Sequence, residues 1–291
     1  MSDDASAVPE SRTAQLRLAD SRDRDALADF LARVFPERTH AYWLTGLVRM
    51  IHLLGESSGL GYVLEAEGRI VGALLTLKRP DQAEGEAVIN LSSWYVEPAY
   101  RHLGMMLDKA ATRDKATTYT NISPEPFTHK LIAAMGYRSL NEDTLIVAPW
   151  LSAPRLGVRV ETYNPQKHDE ALVSRARMAH DHAAMGCRVL VAWEGAEARL
   201  FIFQDKPLPG LKQGAVHVIF TEDMACLARL AGPLGRALLK SRRFLWKVDG
   251  ARVPKGLIGL GFKGRSSRWA KGAHPPGPND LAYTELVVFG P

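Results

Sequence analysis

Apolar positions along this chain switch between two periods. Ala26, Leu27, Phe30, Leu31 and Val34 recur at the three-and-four spacing of one helix face, and Leu44, Leu47, Val48, Ile51 and Leu54 repeat it. Asp20 or Ser21 stands where a side-chain oxygen would cap the first of these helices. From Gly61 the pattern becomes that of strands. Residues 61–67 and 69–78 are β-rich and hinge at Gly68, which predicts an antiparallel hairpin. Residues 87–96 form a third such run, which Pro98 cannot continue. A helix is predicted over Met105–Ala116, a strand over Thr117–Ile122, a helix from Pro126 to Met135 closed by Gly136, and strands within Tyr137–Val147.

Pro149, Pro154 and Gly157 then interrupt both periods, and a domain boundary is placed there. The order of elements recurs beyond it. A helix is predicted at Lys167–Ala184, and residues 188–193 and 197–204 flank Glu194-Gly195 as a second hairpin. A strand follows at Ala215–Phe220. Arg229, Gly232 and Pro233 precede a helix through Lys240, and Phe244–Val248 reads as a strand. Pro254–Leu260 reads as a short helix closed by Gly261-Phe262, and Leu281–Phe289 as a final strand. Met135-Gly136-Tyr137 and Leu260-Gly261-Phe262 are short echoes of one another, so the expectation is a duplicated α/β fold with a mixed sheet in each half: a disordered tail over 1–13, one domain over 14–150 and another over 151–291.

The densest chemical signal lies at Val96-Glu97-Pro98-Ala99-Tyr100-Arg101-His102-Leu103-Gly104, where a strand passes into a helix. The first N–H groups of a helix lack intrahelical partners and lie at the positive end of its macrodipole, so such a junction suits an anion. The segment resembles the acyl-CoA pyrophosphate loop of the GCN5-related N-acetyltransferases, a strand ending in V-x-P followed by Q/R-x-x-G-x-G/A. Val96, Pro98, Arg101 and Gly104 fall in register, and Met106 replaces the last small residue. The order of elements over roughly Leu16 to Val147 is also that family's. In the second half Arg229-Leu230-Ala231-Gly232-Pro233-Leu234 keeps R-x-x-G without the preceding V-x-P, and reads as a degenerate copy.

The resemblance implies an acyl-CoA N-acyltransferase-like fold in which acetyl-CoA or another acyl-CoA is the cosubstrate and no metal takes part. It implies cofactor contacts from Trp94, Tyr95 and Val96 at the end of the fourth strand, from Arg101, His102, Leu103, Gly104, Met105 and Met106 in the loop, and from Asn121 after the fifth strand. Acyl transfer from a thioester needs a neutral amine placed at the carbonyl, a group to take its proton and a donor to polarise the oxygen; no covalent nucleophile is required. Glu86 and Glu125 lie where a base could operate. Where the family often carries a Tyr that protonates the leaving thiolate, four positions before Gly136, this chain has Ile132, which leaves Tyr137, Tyr95 and Tyr119 as the nearby hydroxyls. Glu97 reads as a turn residue, and His180-Asp181-His182 as a surface cluster, because helical neighbours face different directions.

Charge divides unevenly. Residues 1–150 carry 16 Lys and Arg against 20 Asp and Glu and residues 151–291 carry 21 against 12, giving −4 and +9. The basic stretch through Arg236, Lys240, Arg242, Arg243, Lys247 and Arg268 keeps an acidic carrier or RNA in view as a partner, although no nucleic-acid module accompanies it and nucleic acid is disfavoured. No run is long and apolar enough to span a membrane, the N-terminus lacks a secretory pattern, and Cys187 and Cys226 have no metal-ligand spacing, so a cytoplasmic protein is expected. The expected reaction is transfer of an acetyl or other acyl group from coenzyme A to a small-molecule or peptide amine. A noncatalytic CoA-binding or sensing protein, and an aminoacyl or acyl-carrier transferase using the basic half, remain as alternatives.

Overall fold

The first helix begins where its cap was expected. In the computed structural model, which describes residues 13–80, 87–211 and 213–290, Asp20 accepts the Arg22 N–H at 2.9 Å while Asp23 accepts that of Asp20 at 3.0 Å. This capping box starts one 3-10 turn and then α1 (Arg24–Val34). Strand β1 (Gln15–Ala19) precedes it. Thr39 caps α2 (His40–Leu54), which buries Trp43, Leu47 and Met50. That face is rotated from the expected one and leaves Val48 exposed, because the large Trp43 side chain takes the core position. The hairpin of β2 (Gly61–Ala66) and β3 (Arg69–Lys78) turns through Glu67 and Gly68 at φ 52° and 73°. β4 (Val88–Val96) leads through a 3-10 segment at Pro98–Leu103 into α3 (Gly104–Ala111). The helix expected to reach Ala116 stops at Ala111, before the β-branched run Thr117-Thr118 that opens the next strand. Glu86 and the predicted tail up to residue 12 lie outside the described residues.

The remaining elements are β5 (Thr118–Asn121), α4 (His129–Ala134), β6 (Arg138–Asn141), β7 (Thr144–Val147), β8 (Val158–Thr162), α5 (Pro165–Leu172), α6 (Ala176–Ala184), β9 (Arg188–Glu194), β10 (Glu197–Asp205), β11 (Ala215–Phe220), α7 (Met224–Leu239), β12 (Leu245–Asp249), β13 (Gly259–Phe262), β14 (Arg268–Lys271) and α8 (Glu285–Val288). The strands form two mixed sheets of seven. The chain also separates into two compact units, one running to Leu77 with Leu91–Lys115, the other Lys78–Asn90 with Ala116 onward.

In the first unit β1, β2 and β3 pair antiparallel, and Glu97 N–H donates to Val71 O at 2.9 Å where β4 ends beside β3. In the second unit Val88–Asn90, the start of β4, pairs parallel with Thr118–Thr120 of β5, and β14 lies between β5 and β6. The other sheet, entirely in this unit, has the order β13-β7-β12-β11-β10-β9-β8. Its plan repeats that of the first: three antiparallel strands, a parallel pair, then an inserted strand and an edge strand. The inserted strands are exchanged, β7 from the first half lying between β12 and β13, and β14 from the second half between β5 and β6. The fold is thus α/β and duplicated, as the resemblance implies.

Several sequence expectations in the second half change. The single helix at 167–184 is α5 and α6, broken at Val173, where φ is 44°. The helix expected at 254–260 is instead a turn followed by β13, whose Gly259 lies so close to β7 that a Cβ would stand 2.4 Å from Ile146 O. The expected terminal strand is a strap with one strand-like bridge, Phe220 to Asp280, ending in α8. Arg229 to Pro233 does not precede a helix but lies inside α7, which Asp223 caps by accepting the Cys226 N–H at 2.6 Å. α7 packs Leu227, Leu230 and Leu234 against Phe203, Val218 and Trp246 of the sheet.

Gly232 of α7 has no room for a side chain, since a Cβ would fall 2.2 Å from Ala153 O. A Gly232→Ala variant is expected to lose about 1–3 kcal/mol in urea unfolding. A Gly195→Asn variant, in an open turn at φ 63°, is expected to stay within about 1 kcal/mol of the parent.

Candidate functional site

β4 changes character along its length. Its parallel ladder with β5 ends at Asn90↔Thr120, and three residues on Ser93 adopts φ 56° within the strand. A non-glycine residue in the left-handed region inside a strand is uncommon, and it turns the backbone that follows. Trp94 and Tyr95 are half-buried after it, the Tyr95 ring meeting Phe30 and Phe35 edge-on at 6.3 and 5.8 Å, and Val96 is buried.

The loop that follows is more helical than expected. The 3-10 segment runs directly into α3, so Gly104 N–H already donates to Arg101 O instead of standing free. Leu103, Met105 and Met106, good helix formers where the resembled pattern favours small residues, account for this. Arg101, His102, Met105 and Met106 are exposed, Leu103 is half-buried and Gly104 is buried. No side chain caps the start of α3, and Arg101 has no partner among the described residues. Glu97 is more than a turn residue: its carboxylate accepts from Arg33 at 2.9 Å and from Arg69 at 2.8 and 2.9 Å, which offsets a negative charge beside the loop.

The other predicted residues belong to the second unit. Asn121 is half-buried and pairs with Trp269 across β5 and β14, and Glu125 is exposed at the start of a 3-10 turn. Tyr137 and Ile132 are both buried, and the Lys271 ammonium stands 5.4 Å over the Tyr137 ring. Tyr119 is a buried strand residue.

The second sheet offers a direct comparison. The parallel ladder of β11 and β12 also ends after three pairs, at His217↔Lys247, but here the chain's own strap takes the next positions. Thr221 N–H donates to Asn279 O at 3.2 Å and Leu281 N–H to Ile219 O at 2.8 Å. Asp223 places a carboxylate on the N-terminus of α7, and Arg229 donates to Glu194 at 2.6 Å, so both the anion-binding end and the candidate arginine are occupied. Beneath the strap Asp249 is fully buried, accepting from Ser266 at 2.6 Å and Arg268 at 2.7 Å, with His217 Nε2 3.6 Å away, too far for a hydrogen bond. Burial pulls the His217 imidazole down to about 4, so it is neutral at pH 7. Burial would raise the Asp249 carboxyl, yet His217, Arg268 and Ser266 hold it well below the usual carboxylate range.

The strap then carries a group that sequence reading passed over. Glu285, half-buried at the start of α8, accepts a short hydrogen bond from Asn90 Nδ2 and one of 2.5 Å from Ser123 Oγ, while Thr120 donates to Asn90 Oδ1 at 3.2 Å. Burial pushes the Glu285 carboxyl above the usual carboxylate range, against the opposing hydrogen bonds of Ser123 and Asn90. Asp280 accepts both its contacts from the buried Arg79 at 2.8 Å, and Asn279 clasps the Asp249 backbone. Tyr283, at φ 60°, donates its hydroxyl to Asp181 at 2.8 Å and its N–H to His182 Nε2 at 3.2 Å. The expected surface cluster at 180–182 is therefore in large part a clamp: His182 is fully buried, and its Nδ1–H donates to Met178 O, which assigns the tautomer. The only local signal was a polar Asn279-Asp280 pair after a Pro/Gly loop, and nothing in it pointed to Asn90.

Among the described residues no cluster of His, Cys, Asp and Glu is arranged to hold a metal, and no helix is long and apolar enough to cross a membrane. No protein-family model matches the chain, and no curated protein matches it in sequence. Solved structures do match in fold. A conserved protein of unknown function from Enterococcus faecalis V583 superposes with TM-score 0.57 at 12% identity, covering 94% of this chain and 74% of that one. A GCN5-related N-acetyltransferase from Anabaena variabilis ATCC 29413 gives 0.57 at 11% (88% and 72%), and one from Kribbella flavida 0.54 at 15% (89% and 71%). The chain has the fold of these N-acetyltransferases, in duplicate.

Because the folded His217 titrates near 4 and a free histidine near 6.5, the unfolded chain binds a proton first as pH falls. Stability is expected to hold above pH 6.5 and to drop by roughly 3 kcal/mol between pH 6.5 and 4 from this group alone. Urea unfolding across that range checks it, and a His217→Gln variant should show a shallower slope.

Proposed function

We propose that this protein transfers an acyl group from coenzyme A to an amine, with a single cofactor site in the first half. The observation that carries the reading is the left-handed Ser93 of β4, placed just past the last β4–β5 pair and followed by Trp94, Tyr95 and Val96 on the way to the Arg101 loop. Backbone N–H and C=O groups that leave the ladder there are available to an amide-bearing pantetheine, and the exposed Arg101 guanidinium to its pyrophosphate. The resemblance supplies the reaction class, since fold alone does not fix chemistry. The amine reacts directly at the thioester carbonyl: its nitrogen forms the new C–N bond, the C–S bond breaks with its electron pair on sulfur, and a backbone N–H polarises the oxygen. A helical loop with Met105 and Met106 gives a less preformed phosphate cradle than a glycine-rich one, so modest affinity is part of the proposal.

The second half lacks the corresponding opening, because its strap bonds to Ile219 and Thr221 and Asp223 occupies the helix N-terminus. A carrier or nucleic-acid reading of the basic stretch gains little, since Arg243 is committed to Asp205, Arg268 to Asp249 and Arg236 to Ser152 O.

Titration calorimetry with acetyl-CoA is expected to give one site per chain, and Arg101→Ala to weaken binding about tenfold with the melting midpoint unchanged. Two sites, or none, would overturn the single-site reading. Release of coenzyme A in the presence of primary alkylamines, followed with a thiol reagent, tests transfer itself.

A further inference from the structure

The second sheet ends at β13 in an edge that is both apolar and open. β13 pairs with β7 alone, and just ahead of it Ala148 N–H donates to Ile258 O at 2.8 Å. Bonded residues alternate along an antiparallel pair, so Ile258, Leu260 and Phe262 turn their backbone groups toward β7, while Gly259 and Gly261 turn theirs outward. Among the described residues nothing bonds to those outward groups. Leu260 and Phe262 pair with Ile146 and Thr144 and so stand on the face away from the α7 core, which takes Leu145 and Val147. Ile258 is 52% exposed, Leu260 68% and Phe262 44%. The corresponding edge of the first sheet, β6, reads Arg138-Ser139-Leu140-Asn141 and exposes no large apolar side chain. An exposed apolar strand with free backbone groups is a template for pairing with another chain.

Charge says which chain. Arg252 and Lys255 precede the strand and Lys263 and Arg265 follow it; all four are exposed, and none has a partner among the described residues. The one carboxylate bonded to residues 252–265 among the described residues is Asp143, which accepts the Gly264 N–H at 3.0 Å. Two copies of this protein joined along β13 would bring both sets of cations to one seam, and lysines at the ends of an edge strand deter such self-pairing. The same cations attract a strand of opposite charge.

We propose that β13 is a docking edge for an extended acidic segment of another protein, which adds to the sheet as an eighth strand. Its backbone bonds to Gly259 and Gly261, apolar residues at every second position lie beside Leu260 and Phe262, and Asp or Glu at its two ends meets the flanking lysines and arginines. The edge lies wholly in the second unit and owes nothing to the acyl-transfer reading.

The test uses the whole chain and a fluorescent peptide, blocked at both ends, in which Val and Thr alternate through the middle and two Glu stand at each end. Anisotropy titration is expected to show one peptide bound per chain, and amide exchange to slow at Gly259 and Gly261 in its presence. Gly261→Pro deletes one outward N–H at an edge position where proline is tolerated and where a Cβ meets Leu145 at an ordinary 3.6 Å. It is expected to weaken binding about tenfold with the melting midpoint unchanged, whereas Gly261→Ala stays within about threefold. Lys255→Glu combined with Lys263→Glu is expected to weaken the Glu-ended peptide about tenfold and to favour a Lys-ended counterpart. No binding, binding that Gly261→Pro leaves unchanged, or binding without slowed exchange at the two glycines overturns the added strand. A chain that sediments as a dimer and becomes a monomer on Leu260→Lys puts a second copy on this edge and overturns it as well. If Gly261→Pro lowers the melting midpoint, the exposed Leu260→Ser takes its place, with about a tenfold loss expected and an unchanged affinity overturning the proposal.

Discussion

The buried ion pair of Arg268 and Asp249 is the constraint on which the rest of the second unit hangs. Asp249 ends β12 of one sheet and Arg268 begins β14 of the other, and their 2.7 Å contact fixes where the exchanged strand enters. Both side chains are almost wholly withdrawn from water, so neither could be left without the other except at a cost of several kcal/mol. Arg268 also donates to Ile122 O just past β5, and Asp249 receives Ser266 and lends its backbone to Asn279. One pair of charges thus sets the register of β14, the end of β5 and the start of the strap.

The two halves share one strand plan and differ at the same point. In each, a parallel pair of strands parts after three residues, which opens one edge of a strand whose backbone groups must be satisfied. The second half answers with its own chain, Asn279 to Leu281, and so closes the opening from within. In the first half the strand instead passes through the left-handed Ser93. A tethered segment competes for such an edge at high effective concentration with any free ligand.

Much of this was legible along the chain. The capping residue Asp20, the turn at Glu67-Gly68, the run ending at Pro98 and the recurrence of element order in the second half are local signals, each set by backbone geometry that a few neighbouring residues dictate. What depended on distant partners was not. Gly259 reads as a helix end until β7 is seen against its backbone, Leu281–Phe289 reads as a strand until Ile219 and Arg79 bend it into a strap, and Asp223 outcompetes the arginine pattern for the start of α7. Leu103, Met105 and Met106 convert a predicted open loop into a helical one. The sequence by itself determined most of the elements, the duplicated α/β plan and the strand-to-helix junction at Pro98, because these follow from periodicity and turn chemistry within short windows. Only the tertiary structure decided that β7 and β14 change places, that the second opening is filled, and that Glu285 meets Asn90 and Ser123. Contacts between residues that lie more than 160 positions apart leave no trace in local pattern.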